Sequence, residues 1–313
     1  MSTTAIAVTG LRKSFGEKTV LDGIDLAVPE GTVFSLLGPN GAGKTTMVQI
    51  LSTLIGADSG IVRVAGHDLA ADPDAVRAEI GVTGQFSAVD GLLTGTENLI
   101  LMADLHRLGR AEGRRRAQEL LVQFDLVEAA GKPAASYSGG MRRRLDLAMT
   151  LVGSPRIIFL DEPTTGLDPR SRRTMWDIIR NLVANDGVTI FLTTQYLEEA
   201  DQLADRIALL DHGILVAEGT ADELKRLIPG GHLELQFADV ESLDRAAHAI
   251  DSVGRDDDAL TLQVPSDGGV AAMRAVFDRL DAEAIEIVGL TVHTPDLDDV
   301  FLSLTGQAKE LQS

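Results

Sequence analysis

One segment near the amino terminus restricts the fold more than any other feature of the sequence. Residues 38–45 read GPNGAGKT and fit the spacing G-x-x-x-x-G-K-[ST]. A strand-like apolar run, Val33 to Leu37, precedes the segment, and a helical pattern from Thr46 to Leu54 follows it. A glycine-rich turn between a buried strand and a helix is the context in which this spacing wraps phosphate groups. The segment therefore predicts an α/β fold with a phosphate-binding loop.

The residue types in this loop have separate chemical roles. Glycines let the backbone curl so that successive N–H groups point inward, and the helix start adds partial positive charge. Lys44 supplies a full charge to the β- and γ-phosphates, and the Thr45 hydroxyl is a ligand for Mg²⁺. The residues expected to bind nucleotide here are Gly38, Pro39, Asn40, Gly41, Ala42, Gly43, Lys44, Thr45 and Thr46. An ordinary glycine-rich turn is the alternative, and the strand and helix around the segment argue against it.

Two adjacent acids end a second apolar run. Residues 157–160 read IIFL, and Asp161 and Glu162 follow directly. Ligands of α/β sheets bind at the carboxyl ends of the strands, so both carboxylates are expected beside the phosphate loop. Asp161 is predicted to hold Mg²⁺, directly or through water, and Glu162 to polarise the water that attacks the γ-phosphate. Taken alone, the pair also fits two solvated acids at a strand end.

A second helix start offers another anion-binding site. Ser138, Gly139 and Gly140 precede a helical pattern from Arg142 to Val152, so the hydroxyl and the following amides face an incoming anion. The phosphate loop already surrounds the γ-phosphate of its own nucleotide. We therefore expect this second helix start to serve a nucleotide bound by another copy of the chain, in a two-fold dimer.

The rest of the chain divides by pattern. Period-2 alternation in the first thirty residues predicts an antiparallel flap, and a third run, Val188 to Leu192, predicts another buried strand. Strand-like runs vanish from residue 86 to about residue 136, where Thr94 and Glu97 form a candidate capping box, so this segment predicts inserted helices. The composition changes near residues 228–231, and a strand–helix–strand–helix–strand pattern follows. We place a domain boundary there.

Charge and composition exclude several classes of function. The chain has 28 Lys and Arg against 47 Asp and Glu, a net charge of −19, which disfavours nucleic acid as a partner. The absence of cysteine excludes disulfides and thiolate metal sites. No apolar run approaches the ~18 residues of a membrane span, and we expect an intracellular chain. The arginine runs 114–116 and 142–144 are interpreted as solvated helix faces, and the six histidines show no metal-site spacing.

The order of these motifs resembles the ATP-binding subunits of ABC transporters over about residues 5–224. Residues 38–45 look like the Walker A loop of that family, residues 138–141 like its signature, and residues 157–162 like its Walker B strand. The resemblance assigns Gln85 to nucleotide and Mg²⁺ binding, Phe15 to stacking on adenine, and Asp168 to the D-loop. It implies an α/β P-loop NTPase fold with an antiparallel β flap, a RecA-like core and a helical subdomain at about 86–152. The whole ATP-binding domain, including this helical subdomain, is expected to span 1–228, and a small C-terminal α+β domain to span 229–313.

Three positions depart from the common family pattern. The signature has Tyr137 in place of Leu and Met141 in place of Gln, and Gln195 occupies the switch position where most members have His. Glutamine can hydrogen-bond a γ-phosphate but does not titrate near neutral pH, so Gln195 is expected to position groups and not to shuttle protons. Together with the tail at 295–302, these residues resemble the daunorubicin/doxorubicin-resistance (DrrA-like) branch of actinobacterial drug or lipid exporters.

The resemblance implies an ATPase that powers efflux of a hydrophobic drug or lipid through a separate membrane permease subunit. It implies ATP and Mg²⁺ as cofactors, an ATP-dependent homodimer, and a peripheral location on the cytoplasmic face of the membrane. The apolar residues 88–89 and 92–93 fit either core packing or contact with the permease. The alternative is a soluble ABC ATPase acting on a ribosome or DNA complex, but such proteins usually carry two nucleotide modules or a long insertion. A small GTPase is disfavoured because no N-K-x-D motif occurs.

Overall fold

The structure, a computed structural model, describes residues 3–84, 87–227, 231–266, 269–293 and 295–310. The chain forms two compact units, Met1–Ala221 and Asp222–Ser313. The boundary expected from the sequence falls at residues 228 and 229, which lie outside the described residues, and it stays a prediction.

Strands and helices alternate through the first unit. Its strands are β1 (Thr4–Phe15), β2 (Lys18–Pro29), β3 (Val33–Leu37), β4 (Ser59–Val64), β5 (His67–Asp68), β6 (Ile80–Thr83), β7 (Ile157–Asp161), β8 (Thr189–Thr194), β9 (Arg206–Asp211) and β10 (Ile214–Gly219). Its helices are α1 (Lys44–Leu51), α2 (Pro73–Glu79), α3 (Gly95–Leu105), α4 (Arg110–Gln123), α5 (Gly139–Thr150), α6 (Pro169–Asp186) and α7 (Leu197–Leu203). The helix after the glycine-rich loop thus begins at Lys44, earlier than the periodicity indicated.

A six-stranded sheet forms the centre of this unit, in the order β10-β9-β3-β8-β7-β6. The strands from β9 to β6 pair in parallel, and β10 pairs antiparallel with β9. Every residue of β3, β7 and β8 is buried, because helices cover both faces of a sheet of this kind. The predicted buried parallel core is confirmed.

A second sheet has the order β2-β1-β4-β5 and is antiparallel throughout. Along β1, Ile6 and Val8 are buried in a cluster that also holds Phe34 of the central sheet. The alternation of apolar and polar residues in the first thirty positions therefore forms the flap that it predicted.

The inserted segment is helical. Among the described residues from 87 to 136 there is no strand, and α3 begins in the predicted capping box. The Thr94 hydroxyl accepts from the Glu97 N–H at 3.2 Å, and the Glu97 carboxylate accepts from the Thr94 N–H at 2.8 Å. Leu99 and Phe124 from this segment pack in one cluster with Leu145 of α5.

The second unit is a small α+β domain. Helix α8 (Ala221–Lys225) begins at the junction of the two units. The strands and helices that follow are β11 (His232–Gln236), α9 (Val240–Ala249), β12 (Gly254–Asp256), β13 (Thr261–Pro265), α10 (Val270–Ala282), β14 (Gly289–His293) and α11 (Leu297–Glu310). The strands form an antiparallel sheet in the order β12-β13-β11-β14, and residues of α9 and α10 pack on one face of it. The predicted alternation of strand and helix is confirmed, with β12 and α11 added.

Candidate active site

The ends of three central strands meet at one edge of the sheet. Leu37 of β3 pairs with Thr194 of β8, and Thr193 of β8 pairs with Asp161 of β7. The Gly38 N–H donates to the Thr194 carbonyl at 3.3 Å. The phosphate-loop segment and the acid pair, far apart in sequence, therefore emerge side by side.

The loop between β3 and α1 has the backbone that the glycine spacing requires. Gly41 has a φ of 84° and Gly43 a φ of 114°, a region that residues with a Cβ rarely adopt. Gly43 caps α1 without a side chain, so no side chain of the cap residue occupies the first amides of the helix. These amides and the helix dipole make the loop suitable for an anion.

Lys44 lies almost fully buried beneath this loop, with 5% of its side chain exposed. Its Nζ donates to the carbonyls of Gly38 at 2.8 Å and Pro39 at 3.1 Å, and it lies 3.6 Å from Oε1 of Glu162. Burial lowers the pKa of the Lys44 amine, and the carboxylates of Glu162 and Asp161 oppose that shift. An anionic phosphate oxygen in the loop adds a further charge that favours the ammonium form.

Asp161 and Glu162 differ in their surroundings. Asp161 is buried and accepts from the Thr193 hydroxyl at 2.5 Å and from the Thr45 hydroxyl at 3.4 Å. The Glu162 backbone has a φ of 50°, uncommon for a residue with a side chain and frequent at functional sites. The Glu162 N–H donates to the Thr193 hydroxyl at 3.2 Å. Thr193 thus positions the Asp161 carboxylate and the Glu162 backbone, a role that the sequence analysis missed although the residue stands two positions before the switch glutamine.

The donors near Asp161 suit Mg²⁺. This ion prefers hard oxygen ligands about 2.1 Å away in an octahedron, which places neighbouring ligands about 3 Å apart. The hydroxyl of Thr45 and a carboxylate oxygen of Asp161 are 3.4 Å apart, close to that separation. Gln85, the third residue expected to contact the ion, lies outside the described residues.

A cavity of about 430 Å³ joins several predicted residues from different strands and loops. Its walls are Phe15, Lys18, Val20, Asn40, Gly41, Gly43, Lys44, Thr45, Thr46 and Glu162. Phe15 is half exposed, and the ammonium of Lys13 lies 5.4 Å from the centre of its ring. Another cavity, of about 490 Å³, lies between the end of α1, β4 and α2 and includes none of the predicted residues. The smaller cavity has the chemistry of a nucleotide site, with an aromatic face at one end and the phosphate loop at the other.

The remaining predicted residues do not line this cavity. Ser138 is the exposed cap of α5, where its hydroxyl accepts from the Met141 N–H at 3.2 Å, and Gly139 beside it is exposed too. Asp168 caps α6 by accepting from two amides and from the Ser171 hydroxyl, which lowers the pKa of its carboxyl. Gln195 is half-buried directly after β8. Within one chain, the structure therefore groups the loop, Phe15 and Glu162, and leaves the signature helix start open to solvent.

Comparisons with known proteins identify the family. The family model described as ABC transporter matches residues 21–165, and that described as ATP-binding protein DrrA1-3-like, C-terminal domain, matches residues 219–305. The daunorubicin resistance ATP-binding protein DrrA3 of Streptomyces coeruleorubidus is 48% identical over 100% of this chain and 99% of its own length. The chain belongs to the ABC transporter ATP-binding family. The resemblance of its motifs is thereby confirmed, and the chain is an ATP-hydrolysing enzyme of this family.

A further curated relative and a solved ATP-binding cassette are also similar to this ABC ATPase. The daunorubicin/doxorubicin resistance ATP-binding protein DrrA of Streptomyces peucetius is 46% identical, over 99% of this chain and 95% of its own length. The dimeric ATP-binding cassette MJ0796, solved in a post-hydrolysis state with ADP and Pi, is 28% identical. The alignment of the two structures covers 69% of this chain and 98% of the MJ0796 chain, with a TM-score of 0.62.

Tyr137, one departure from the family signature, has a structural role in this ABC ATPase. Its ring is buried, and its hydroxyl donates to the Ala129 carbonyl at 2.7 Å. Burial raises the pKa of the Tyr137 hydroxyl. A Cβ at Gly95, the first residue of α3, would collide with that hydroxyl. The tyrosine therefore ties the start of α5 to the preceding helices of the insertion.

The expectation that residues 142–144 form a solvated arginine face is wrong. All three side chains are half-buried and donate to backbone carbonyls. Consecutive residues of a helix are about 100° apart around its axis, so three in a row extend beyond its exposed face and require partners. Three arginines in the first turn of a predicted helix were the signal that could have revealed this arrangement.

Arg143 joins α5 to the catalytic edge of the sheet. Its guanidinium donates to the carbonyls of Pro163 at 2.8 Å, Gly84 at 2.9 Å, Asp161 at 3.3 Å and Glu162 at 3.4 Å. It also pairs with Asp146 at 3.2 Å. We call Arg143 and Asp146 the arginine clamp.

The arginine clamp also contacts two described residues, Gly84 and Ala88, which come before and after Gln85 in the sequence. Gly84 precedes that glutamine and is bound by Arg143, while the N–H of Ala88, three residues beyond Gln85, donates to Asp146 at 3.0 Å. Burial raises the pKa of the Asp146 carboxyl, and the Ala88 N–H and Arg143 oppose that shift. A single buried ion pair therefore holds the backbone of the acid pair, of Gly84 and of Ala88 against the signature helix.

Replacing Arg143 with Lys is expected to lower kcat for ATP hydrolysis by about tenfold to 100-fold, because small displacements of catalytic groups are costly. One ammonium keeps the charge beside Asp146 but does not span four carbonyls. The KM for ATP should change little, since the phosphate loop is intact. Steady-state kinetics measure both values. Arg144→Lys is the matched control, because Arg144 binds the Phe124 carbonyl away from this edge and should keep the normal rate. A changed KM with an unchanged kcat would contradict the positioning role.

Proposed function

We propose that two copies of this chain bind two ATP molecules between them and power export of a hydrophobic compound through a separate membrane permease. The observation that carries this proposal is the division of the predicted site residues. Lys44 and Glu162 line one cavity, while the start of α5 at Ser138 and Gly139 is exposed and outside it. A phosphate in the cavity therefore leaves this second anion-binding helix start for a nucleotide held by a partner copy.

Each half of the composite site has its own task. In one copy, Lys44 and the loop amides bind the β- and γ-phosphates, and Gln195 donates to the γ-phosphate. In the other copy, Ser138 and the amides after it bind the same γ-phosphate. Mg²⁺ held by Thr45 and Asp161 neutralises phosphate charge when bound. Glu162 accepts a proton from the attacking water.

The contacts to the γ-phosphate contribute enough free energy to switch the pair of copies from open to closed. Moving a pair from mostly open to mostly closed requires about 5.5 kcal/mol of preference for the closed state. Hydrogen bonds to charged groups contribute about 1.5–3 kcal/mol each, so a few bridging contacts to the γ-phosphate provide it. Hydrolysis separates that phosphate and removes the bridge.

The membrane partner is proposed from an exposed apolar position. Among the described residues, no helix is long and apolar enough to cross a lipid bilayer. Val89 packs against the core, whereas Leu92, close to it in sequence, is 89% exposed. We therefore assign Leu92 to contact with the permease, at the cytoplasmic face of the membrane. The relatives named for daunorubicin resistance support a hydrophobic drug as cargo.

Isolation of the tagged chain from gently solubilised membranes of its source cells tests the partner. We expect a polytopic membrane protein to accompany the wild-type chain and to be lost from Leu92→Glu. Leu54→Glu is the control, because Leu54 is also exposed but lies three residues after α1. Recovery of ribosomes or DNA in place of a membrane protein would contradict the proposal and favour a soluble ABC ATPase.

A further inference from the structure

Three potential metal ligands meet on the C-terminal sheet although they are distant in sequence. His232 of β11 lies directly opposite His293 of β14 in the antiparallel register, and Glu234 lies two residues along β11. Successive residues of a strand point to opposite faces, so these three side chains share one face. The intervening Leu233 and Leu235 are buried against α9 and α10 on the other face. Spacing along the chain did not reveal this cluster, because the six histidines show no metal-site spacing in the sequence.

The three side chains are close enough to share one ion. Their candidate ligand atoms all lie within 4.8 Å of one another, and the two imidazole rings are stacked with centres 4.6 Å apart. Ligands about 2.05 Å from a tetrahedral zinc ion are about 3.3 Å apart. Closure around an ion therefore requires shifts of about 1.5 Å. Side-chain rotation supplies such shifts readily here, since none of the three residues is fully buried.

We propose that His232, Glu234 and His293 form a binding site for a divalent transition-metal ion, with Zn²⁺ as the preferred ion. Two imidazole nitrogens and one carboxylate oxygen are a donor set that zinc uses with water as a fourth ligand. Mg²⁺ and Ca²⁺ prefer all-oxygen sites and compete poorly for imidazole. The chain has no cysteine, so this site does not depend on the redox state of a thiol.

The position of the site gives it a structural consequence. β14 is an edge strand that pairs with β11 in the sheet of the second unit. An ion bound to His293 on β14 and to two residues of β11 links this edge strand to its neighbour. Metal binding therefore stabilises the C-terminal sheet, because the unfolded chain does not hold the three ligands together.

Titration calorimetry of the untagged, nucleotide-free full chain with ZnCl₂, in excess Mg²⁺, tests the site. We expect the titration to give one Zn²⁺ per chain. Thermal scans should show a higher melting temperature with Zn²⁺ than without it. When Co²⁺ replaces Zn²⁺, the visible spectrum should show the absorption bands of tetrahedral coordination. The loss of affinity in His232→Ala and in His293→Ala should exceed the roughly 10–100-fold loss that removal of an outer-shell partner causes. Glu234→Gln should also bind more weakly.

The matched control is His248→Ala. His248 lies on α9 of the same unit, where its Nδ1 is 2.7 Å from the Asp244 carbonyl, and its loss should leave Zn²⁺ binding unchanged. The ligand positions are not fully buried, so we expect all variants to keep the metal-free melting temperature of the wild type. Equal Zn²⁺ binding by the His232→Ala/His293→Ala double variant, or no binding by the wild type, would overturn the assignment.

Discussion

Replacing Glu162 with Gln is expected to reduce ATP hydrolysis by about 10³-fold while leaving ATP binding intact. The amide has nearly the shape of the carboxylate, so its place in the cavity beside Lys44 is preserved. It does not accept a proton from water. Because the bridging γ-phosphate then persists, the two copies should remain associated in ATP and Mg²⁺. Light scattering reports the mass of the pair, and phosphate release reports the rate.

A second substitution controls for this effect. Glu162→Gln combined with Lys44→Ala should remain monomeric in ATP, since the loop then lacks its principal phosphate contact. A single Glu162→Gln variant that stays monomeric at saturating ATP would contradict the bridging role of the nucleotide.

Replacing Gly139 with Asp is expected to lower the ATPase rate by roughly 100-fold, the scale on which loss of one preorganised anion contact acts. The new carboxylate stands where the γ-phosphate of a partner copy is expected and repels it. A negative charge in the first turn of α5 interacts favourably with the helix dipole, so the melting temperature should not fall. Open space surrounds a Cβ at this position. Coupled ATPase assays and thermal scans separate the two effects.

Gly139→Ala is the control for size without charge. Its methyl group meets nothing within 4 Å, and the variant should keep most of its activity. If both variants hydrolyse ATP at the wild-type rate, the start of α5 does not contact a phosphate.

The central sheet could be predicted because its signals are local. Each of the buried strands β3, β7 and β8 is a short, mainly apolar run that is followed by a Gly or ends in an acid or a polar pair. The carboxyl ends of parallel strands meet at one edge, so the sequence predicts the acid pair at the end of β7 beside the phosphate loop after β3. The capping box at Thr94 and Glu97 is likewise a pattern within four residues.

Contacts between distant residues could not be predicted in this way. Arg143 binds Gly84 and Pro163 through backbone carbonyls, and a carbonyl leaves no trace in residue type. His232 and His293 become neighbours only through the register of β11 and β14. In both cases the residue types alone indicated solvent-exposed side chains, since runs of arginine and scattered histidines are usually solvated.

The claim that each reaction centre contains residues of two chains is tested most directly by mixing two inactive variants. Lys44→Ala keeps an intact signature helix, and Gly139→Asp keeps an intact phosphate loop. Only a mixed pair has one complete centre, so an equimolar mixture should hydrolyse ATP far faster than either variant alone, at about a quarter of the wild-type rate when half of the pairs are mixed. A mixture as inactive as its two components would contradict the account, because a centre contained in one chain gains nothing from mixing.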